Sequence, residues 1–575
     1  MHMRLPMLAV TLSLTSTAAF SQVTTYDPVT GVVTIPSVAV GSASYTQVTL
    51  KDRGDFVFEL TGAREQRPAM SGAALAGYDT ATGVLTLPAV KVGNETFFDV
   101  KLANSGNFAF TLQSAAPMPA GLQAELASYF RSVEAVTATA IPTSGAARLA
   151  AVDSCWASSG RTRANFIADW EVNADEYVQR DAFLIGRRFE NIQVLDLRTL
   201  TNADGSARRE VSVLFDTVHK DGTAVRGATG KLVSGSSAGT PGCNTPQTGS
   251  GWRDLGNQEL VSMSVRGNNI REQRYAIAGG AALNPAVRYR REIEFRVSDP
   301  MGNATYAIVT GPGPTNTTSG VVRPFSMKLL SVRLLRSASE LQGKTGNFLN
   351  WPDDDMWRYC VLPSGFVPTA DLVDCVANPG SSNVWGWGFT AAPDAAADAG
   401  FVAQGWEEGG VYRFDIYNDD GWKTVNGHAN KTPVATYYAT LMALPYSFAQ
   451  MADKYPLFNL GNLTGTQIAA NANSASPAPL SLSWAPPGAL PGPLMHLYQI
   501  WEFHQGAKIG NPGTTFNPAY RIFTPAYPGT MATSTSSFPA APRHPDQANK
   551  TYVEYVLLYR DPTTGNTVRS RINLQ

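Results

Sequence analysis

The sequence predicts a mainly β, multidomain protein with tandem small β repeats, an α+β domain and two C-terminal β-sandwich domains. Three observations predict it. One sequence unit is written twice between Tyr26 and Leu112. Apolar residues recur at every second position over most of the chain, which builds one buried face of a strand. The chain also carries 51 Gly and 37 Pro in 575 residues, a balance suited to many turns.

A chain of this length exceeds what one core supports. The expected division is a signal peptide at 1–21, a first β repeat at 22–63, a linker with the second repeat at 64–116, an α+β domain at 117–280, a β-sandwich with an insertion at 281–450, and a second sandwich at 451–575. Forty-five basic residues against 46 acidic leave a net charge of -1 with no block of one sign. That argues against nucleic acid or an anionic membrane as partner.

At the N-terminus, Arg4 precedes an apolar run from Leu5 to Phe20, and Ala19-Phe20-Ser21 supplies small residues for cleavage. This reads as a secretory signal in the bacterial style, with a mature chain starting near Gln22 that is periplasmic or extracellular. No later run is long and apolar enough for a membrane span, so no transmembrane anchor is expected in the mature chain.

The repeats follow at a fixed offset of 52 residues, from Tyr26-Asp27 to Tyr78-Asp79. Thr30-Gly31-Val32 returns as Thr82-Gly83-Val84, Pro36 as Pro88, Gly41 as Gly93, and Val48 and Leu50 as Val100 and Leu102. Phe56, Phe58 and Leu60 return as Phe108, Phe110 and Leu112. Each unit reads as three short antiparallel strands, with Phe56 and Phe108 on the buried face. A unit this small buries little alone, so the two copies are expected to pack on each other.

Beyond the break at Ala115 to Pro119 the period changes. Leu122, Leu126, Tyr129, Phe130 and Val133 form one helical stripe, and Phe166, Ile167 and Trp170 begin a second. From Ile192 the period returns to two in four stretches, 192–200, 208–219, 224–233 and 252–265. Helices followed by a long antiparallel meander resemble the cone-shaped fold of the nuclear-transport-factor-two-like superfamily over about residues 120–275. The segment from Gly251 to Gln258 is similar to final-strand segments of its exported bacterial members. The resemblance implies a cone-like fold whose mouth Thr162, Arg163, Phe166 to Trp170, Tyr177 and Arg180 would line, unless the aromatic residues among them fill a packed apolar interior. That superfamily holds both enzymes and binding proteins, so the resemblance implies no single reaction.

Beyond Pro285 the alternation of Val287 to Val297, Ala304 to Val309 and Tyr412 to Tyr417 resembles an immunoglobulin-like sandwich interrupted near 340–400. The last unit, with Trp484 early and Tyr552 to Tyr559 late, resembles a fibronectin type III domain, in which the Trp packs beneath the Tyr-rich strand.

Four cysteines, Cys155, Cys243, Cys360 and Cys375, fit an oxidising compartment. Neighbourhood pairs Cys155 with Cys243 and Cys360 with Cys375, one of three possible connectivities. Gly235-Ser236-Ser237-Ala238-Gly239 fits the string of a serine hydrolase, but Pro241 and Gly242 deny it the following helix, so it reads as a loop. Asp353-Asp354-Asp355 and Asp415 with Asp419-Asp420 are the densest acids, and neither has the spacing of a calcium loop. Trp385 and Trp387 stand two apart between glycines, so a strand would present both rings on one face, either as a platform for a sugar or as core. No catalytic set, metal set or cofactor motif emerges. The function expected is a non-catalytic exported binding or spacer protein, with a glycan or another envelope protein as partner. The alternative is a secreted polymer-active enzyme or carbohydrate-binding protein that uses the cone-like domain or the Trp-rich insertion.

Overall fold

The computed structural model describes residues 24–41, 43–66, 76–93, 95–202, 204–220, 222, 224–235, 251–299, 301–318, 321–331, 357–358, 384–386, 390–419, 432–459, 464–473, 480–485, 488, 496–506, 518–523, 535–538, 550–561 and 564–575. It is mainly β.

Each repeat forms four strands, one more than its alternation suggested. The first gives β1 (Thr24–Asp27), β2 (Val32–Val40), β3 (Ala43–Asp52) and β4 (Val57–Gln66); the second gives β5 (Ala76–Asp79), β6 (Val84–Val92), β7 (Glu95–Gly106) and β8 (Ala109–Pro117). They join in one sheet ordered β1-β2-β3-β4-β8-β7-β6-β5, closed by β1–β6 and β2–β5 pairings. Closure encloses Val33, Ile35, Val48, Leu50 and Phe58 with their copies Leu85, Leu87, Val100, Leu102 and Phe110. The first turns are also copied. Asp27 accepts from the Val29 N–H and the Thr30 hydroxyl at 2.9 and 2.7 Å, and Asp79 from Ala81 and Thr82 at 2.8 and 2.7 Å. Gly31 and Gly83 complete these turns at φ of 63° and 69°, where a side chain would be strained.

Phe56 and Phe108 are a correction. They are 66% and 67% exposed, because each sits at the tip of a hairpin. Val57 N–H donates to Gly54 C=O at 3.0 Å, with Asp55 and Phe56 both at positive φ, a type I′ arrangement repeated by Asn107 and Phe108. The left-handed turn breaks the alternation one step before β4, so burial starts at Phe58.

The next segment contains α1 (Leu122–Val136), α2 (Gly145–Arg148), a small hairpin of β9 (Ala157–Ser158) and β10 (Arg161–Thr162), α3 (Arg163–Arg180) and a 3-10 turn at Asp181–Leu184. An antiparallel sheet follows, ordered β11 (Arg188–Thr201), β12 (Ala207–Val218), β13 (Ala224–Ser234) and β14 (Arg253–Asp254). The helical stripe read from the sequence is the buried face of α1, and it packs on Phe189, Val213, Phe215 and Leu232 of this sheet. Ala89 and Phe98 of the repeats join the same cluster. The fourth stretch of the meander, 252–265, is divided: only Arg253–Asp254 pairs with β13, and the chain then enters a different sheet as β15 (Ser262–Tyr275).

The remaining strands are β16 (Ala282–Ser298), β17 (Tyr306–Thr318), β18 (Val321–Leu330), β19 (Trp357–Arg358), β20 (Val384–Gly386), β21 (Gly410–Tyr417), β22 (Ala435–Leu441), β23 (Leu457–Asn459), β24 (Leu480–Ala485), β25 (His496–Gly506), β26 (Pro518–Phe523), β27 (Thr535–Phe538), β28 (Lys550–Arg560) and β29 (Thr567–Leu574). Helices α4 (Ala395–Val402), α5 (Phe448–Met451) and α6 (Gly465–Asn473) lie among them. A five-stranded sheet, β19-β18-β17-β21-β22, contributes Val309, Phe325, Phe414 and Ile416 to a core shared with Val265, Ile293, Phe295 and Val297 of β15 and β16. This sandwich-like arrangement has a second partner. β15 also pairs in parallel with β29, from Asn268 opposite Thr567 to Tyr275 opposite Leu574, within a seven-stranded sheet ordered β20-β16-β15-β29-β28-β25-β26. The break expected at 450/451 therefore falls within one hydrogen-bonded sheet. Trp484 does pack with Tyr555 and Tyr559 of the late strand. Among the described residues no helix is long and apolar enough to cross a membrane.

Candidate functional site: two buried polar clusters

The first cluster lies between the helices and the four-stranded sheet. α2 ends in Arg148, whose Nη2 donates to Asp181 Oδ2 at 3.1 Å, with side chains 2% and 0% exposed. After the 3-10 turn, Gly186 N–H donates to Thr137 C=O at 3.0 Å, at the end of α1, and the next residue, Arg187, is buried. Its guanidinium lies 5.0 Å from the Phe189 ring centre. Burial and the neighbouring Arg148 pull Arg187 down to about 9, against the opposing field of Asp181, so it remains a cation at neutral pH. Its Nε and Nη1 lack a hydrogen-bond partner, as does the buried Tyr129 hydroxyl. Burial raises the Tyr129 phenol well above its ordinary range; Asp254 adds to this and Arg187 opposes it, so the phenol sits in the fields of both.

Asp254 comes from the short β14, the segment singled out by resemblance. Its Oδ1 accepts from Gly256 N–H at 3.0 Å, and burial pushes its carboxyl up to about 6, despite that bond and the approaching Trp156 indole. Asp153 N–H donates to Asp254 C=O at 2.9 Å, tying the loop before α3 to β14. Of the residues expected at a cone mouth, Phe166, Trp170 and Tyr177 belong to a packed interior, while Thr162 is exposed. Phe166, Trp170 and Tyr177 cluster with Ile141, Leu149, Trp156 and Leu184. The Trp170 indole donates to Pro142 and Thr143 carbonyls at 3.2 and 3.1 Å, and the Tyr177 hydroxyl to Asp169 at 2.7 Å. Thr162 bonds with Asn165 at the start of α3.

The second cluster is a ladder of charge on one face of the seven-stranded sheet. Register places Arg266 opposite Glu294, Asn268 opposite Glu292 and Glu272 opposite Arg288. On the other side, Asn268, Ile270 and Glu272 face Thr567, Arg569 and Arg571 of β29. Glu294 Oε2 accepts from Arg266 Nε at 2.5 Å and Arg569 Nη2 at 3.2 Å. Burial disfavours the Glu294 carboxylate, yet Arg266 and Arg569 hold it well below the usual carboxylate range. Glu272, with a fully buried side chain, receives Arg288, Arg571 at 3.2 Å and the Asn573 amide at 2.6 Å. There too burial is outweighed, by Arg571 first, and the pKa falls. Arg571 continues the chain to Glu554 at 3.4 Å.

Neither cluster was named from the sequence, although the second left a signal. Arg288, Arg290, Glu292, Glu294 and Arg296 are charged at every second position, as are Arg569 and Arg571. That pattern reads as a solvated face, and only pairing with a like-patterned strand makes it a buried one.

The candidates that were named are dispersed. Trp385 stands in β20 opposite Ile293, whereas Trp387 lies outside the described residues. Cys155 is disulfide-bonded and packs with Val233 and Leu255; Cys243, Cys360 and Cys375 lie outside the described residues, so their pairing stays an expectation. Ser236 and Ser237 of the hydrolase-like string and Asp353-Asp354-Asp355 also lie outside them. Asp415 accepts from Arg413 and Thr436 at 2.9 and 2.6 Å, and Asp419 from the Tyr306 hydroxyl at 3.2 Å, so both acids serve the sheet. Among the described residues no group of three or more His, Cys, Asp or Glu side chains is placed to hold a metal ion. An open groove of about 560 Å³ runs past Tyr78, Asp79, Lys101 and Gln113 on the second repeat. Comparison with protein-family models and with curated proteins gives no match for this chain.

Proposed function

We propose that this chain is a non-catalytic exported protein of the cell envelope or extracellular space, serving to bind or to space, with a glycan or another envelope protein as its partner. The observation that carries this reading is the charge ladder of the C-terminal sheet. Glu272 and Glu294 are each held by two arginines and kept ionised, which suits cohesion between strands and unsuits either acid for giving or taking a proton near neutral pH. The signal-like N-terminus and the disulfide at Cys155 support export. The helices over a four-stranded sheet support the cone-like reading of the α+β segment, and the facing sheets support sandwich domains.

The test is incubation of the mature chain with a panel of polysaccharides and envelope extracts, following binding and product release together. Saturable binding without product is the expected result. Product formation that Glu294→Gln abolishes without loss of folding would overturn the reading.

A second reading rests on the first cluster: a small acidic ligand held by the α+β segment, favoured by the unpartnered Arg187 nitrogens and Tyr129 hydroxyl. Calorimetric titration with small carboxylates would support it if Arg187→Met removed the heat of binding.

A further inference from the structure

The strand pairings between the repeats map onto one another. Thr24, Thr25 and Tyr26 of β1 pair in parallel with Val90, Lys91 and Val92 of β6. The copies of those positions, Ala76, Gly77 and Tyr78, pair in the same way with Val38, Ala39 and Val40 of β2. In the third seam Val57 opposes Thr111 and Glu59 opposes Ala109, which are images of one another, while Phe58 and Phe110 oppose each other on the axis. Leu60 N–H donates to Phe108 C=O at 3.0 Å, and Leu112 N–H to Phe56 C=O at 3.1 Å. A seam that is its own image under a two-fold rotation is the seam of a symmetric dimer. Here its two members happen to be joined in one chain.

Neither repeat closes by itself. β1 fills the gap beside β6 of the other unit and β5 the gap beside β2, so a lone repeat leaves open strand edges and an uncovered half-core. Nothing in the pairing requires the completing repeat to come from the same chain. We propose that the repeat module is a self-association element whose partner is a second copy of this chain, repeat one of one molecule closing on repeat two of another. Two molecules exchanging both repeats give a closed dimer. Molecules that exchange with different neighbours give an open string, which fits a spacer in a dense layer.

The linker decides between closure within one chain and exchange between chains. Gln66 pairs with Ser44, Ser44 with Ala39, and Ala39 with Gly77. The ends to be joined are thus three strand spacings apart, roughly 14 Å at about 4.8 Å each. Residues 67–75 cover that span easily and hold the repeats at an effective concentration in the millimolar range, so closure within one chain dominates in dilute solution. Deleting 67–74 leaves three Cα–Cα steps from Gln66 to Gly77, a reach of about 11 Å, which falls short.

The experiment uses the full chain with residues 67–74 deleted, examined by light scattering beside the wild type. A doubled molar mass, or a series of multiples of it, is expected, with the wild type monomeric at the same concentration. Versions of the shortened chain with one added cysteine each, Val57→Cys or Thr111→Cys, are then mixed, unfolded without reductant and refolded together. A covalent dimer of one with the other, visible on a non-reducing gel, is expected because these positions face across the seam. A shortened chain that stays monomeric, whether with the wild-type β signal or with its repeats unfolded, overturns the proposal, as does a doubled mass without the cross-link.

Discussion

Phe58 and Phe110 face each other across the β4–β8 seam, each also packed edge-on against the first-strand tyrosine of its own repeat, Tyr26 at 6.2 Å and Tyr78 at 5.9 Å. The duplicated pair locks the two repeats into one core.

Phe58→Ala and Phe110→Ala should therefore each cost about 3–5 kcal/mol, and by similar amounts. Phe56→Gly and Phe108→Gly should be neutral or stabilising by up to about 1 kcal/mol, since glycine relieves the positive φ and little burial is lost. Urea unfolding of the four variants checks the contrast, and a large loss in Phe56→Gly would contradict the exposed position.

Glu294→Ala should destabilise by about 3–5 kcal/mol, because it leaves Arg266 buried without its acceptor. A group depressed in the folded state stabilises above its unfolded pKa and loses that contribution as pH falls. The ladder acids Glu272 and Glu294 should thus make stability fall below about pH 4.5. In Glu294→Gln that acid-side loss should shrink, which thermal unfolding across pH 3–6 would measure.

Asp254 and Glu259 act in the opposite sense. Burial raises them to about 6 and about 7, so the folded state prefers their protonated forms, fully so below the unfolded carboxylate pKa. That preference is lost as pH rises through 6 and 7. Asp254→Asn with Glu259→Gln should flatten the decline between about pH 5 and 8, which thermal unfolding across that range would measure. An unchanged profile would place the decline elsewhere.

Cys155 packs beside Val233, and β13 ends one residue later, at Ser234, eight residues before the Gly242-Cys243 pair. That placement favours the bridge to Cys243. Non-reducing peptide mapping should recover Cys155 with Cys243, and Cys155→Ser should cost about 2–5 kcal/mol. Recovery of Cys155 with Cys360 would refute the pairing.

Trp385 occupies a register position opposite Ile293, which is fully buried in the sandwich core. Trp385→Ala should lower the unfolding temperature and leave binding to any glycan unchanged. The reverse outcome would restore the platform reading of this tryptophan.

The sequence by itself determined the repeat, the helical stripe of α1, the mainly β character and the Trp484 packing, because each depends on local periodicity that burial of one face imposes on neighbouring residues. It misplaced Phe56 and Phe108 by one step, because a two-residue left-handed turn leaves no mark on the alternation of apolar residues. Only the tertiary structure decided the sheet partners. β15 pairs with β29 almost 300 residues later, and the reciprocal seams of the repeats join strands whose edges look alike in sequence. Backbone hydrogen bonds carry no side-chain identity, so a strand's sequence states which face it buries and leaves open which edge it meets. The charge ladder follows from the same cause: alternating Arg and Glu would suit water equally well, and become buried ion pairs only when two such strands are brought side by side.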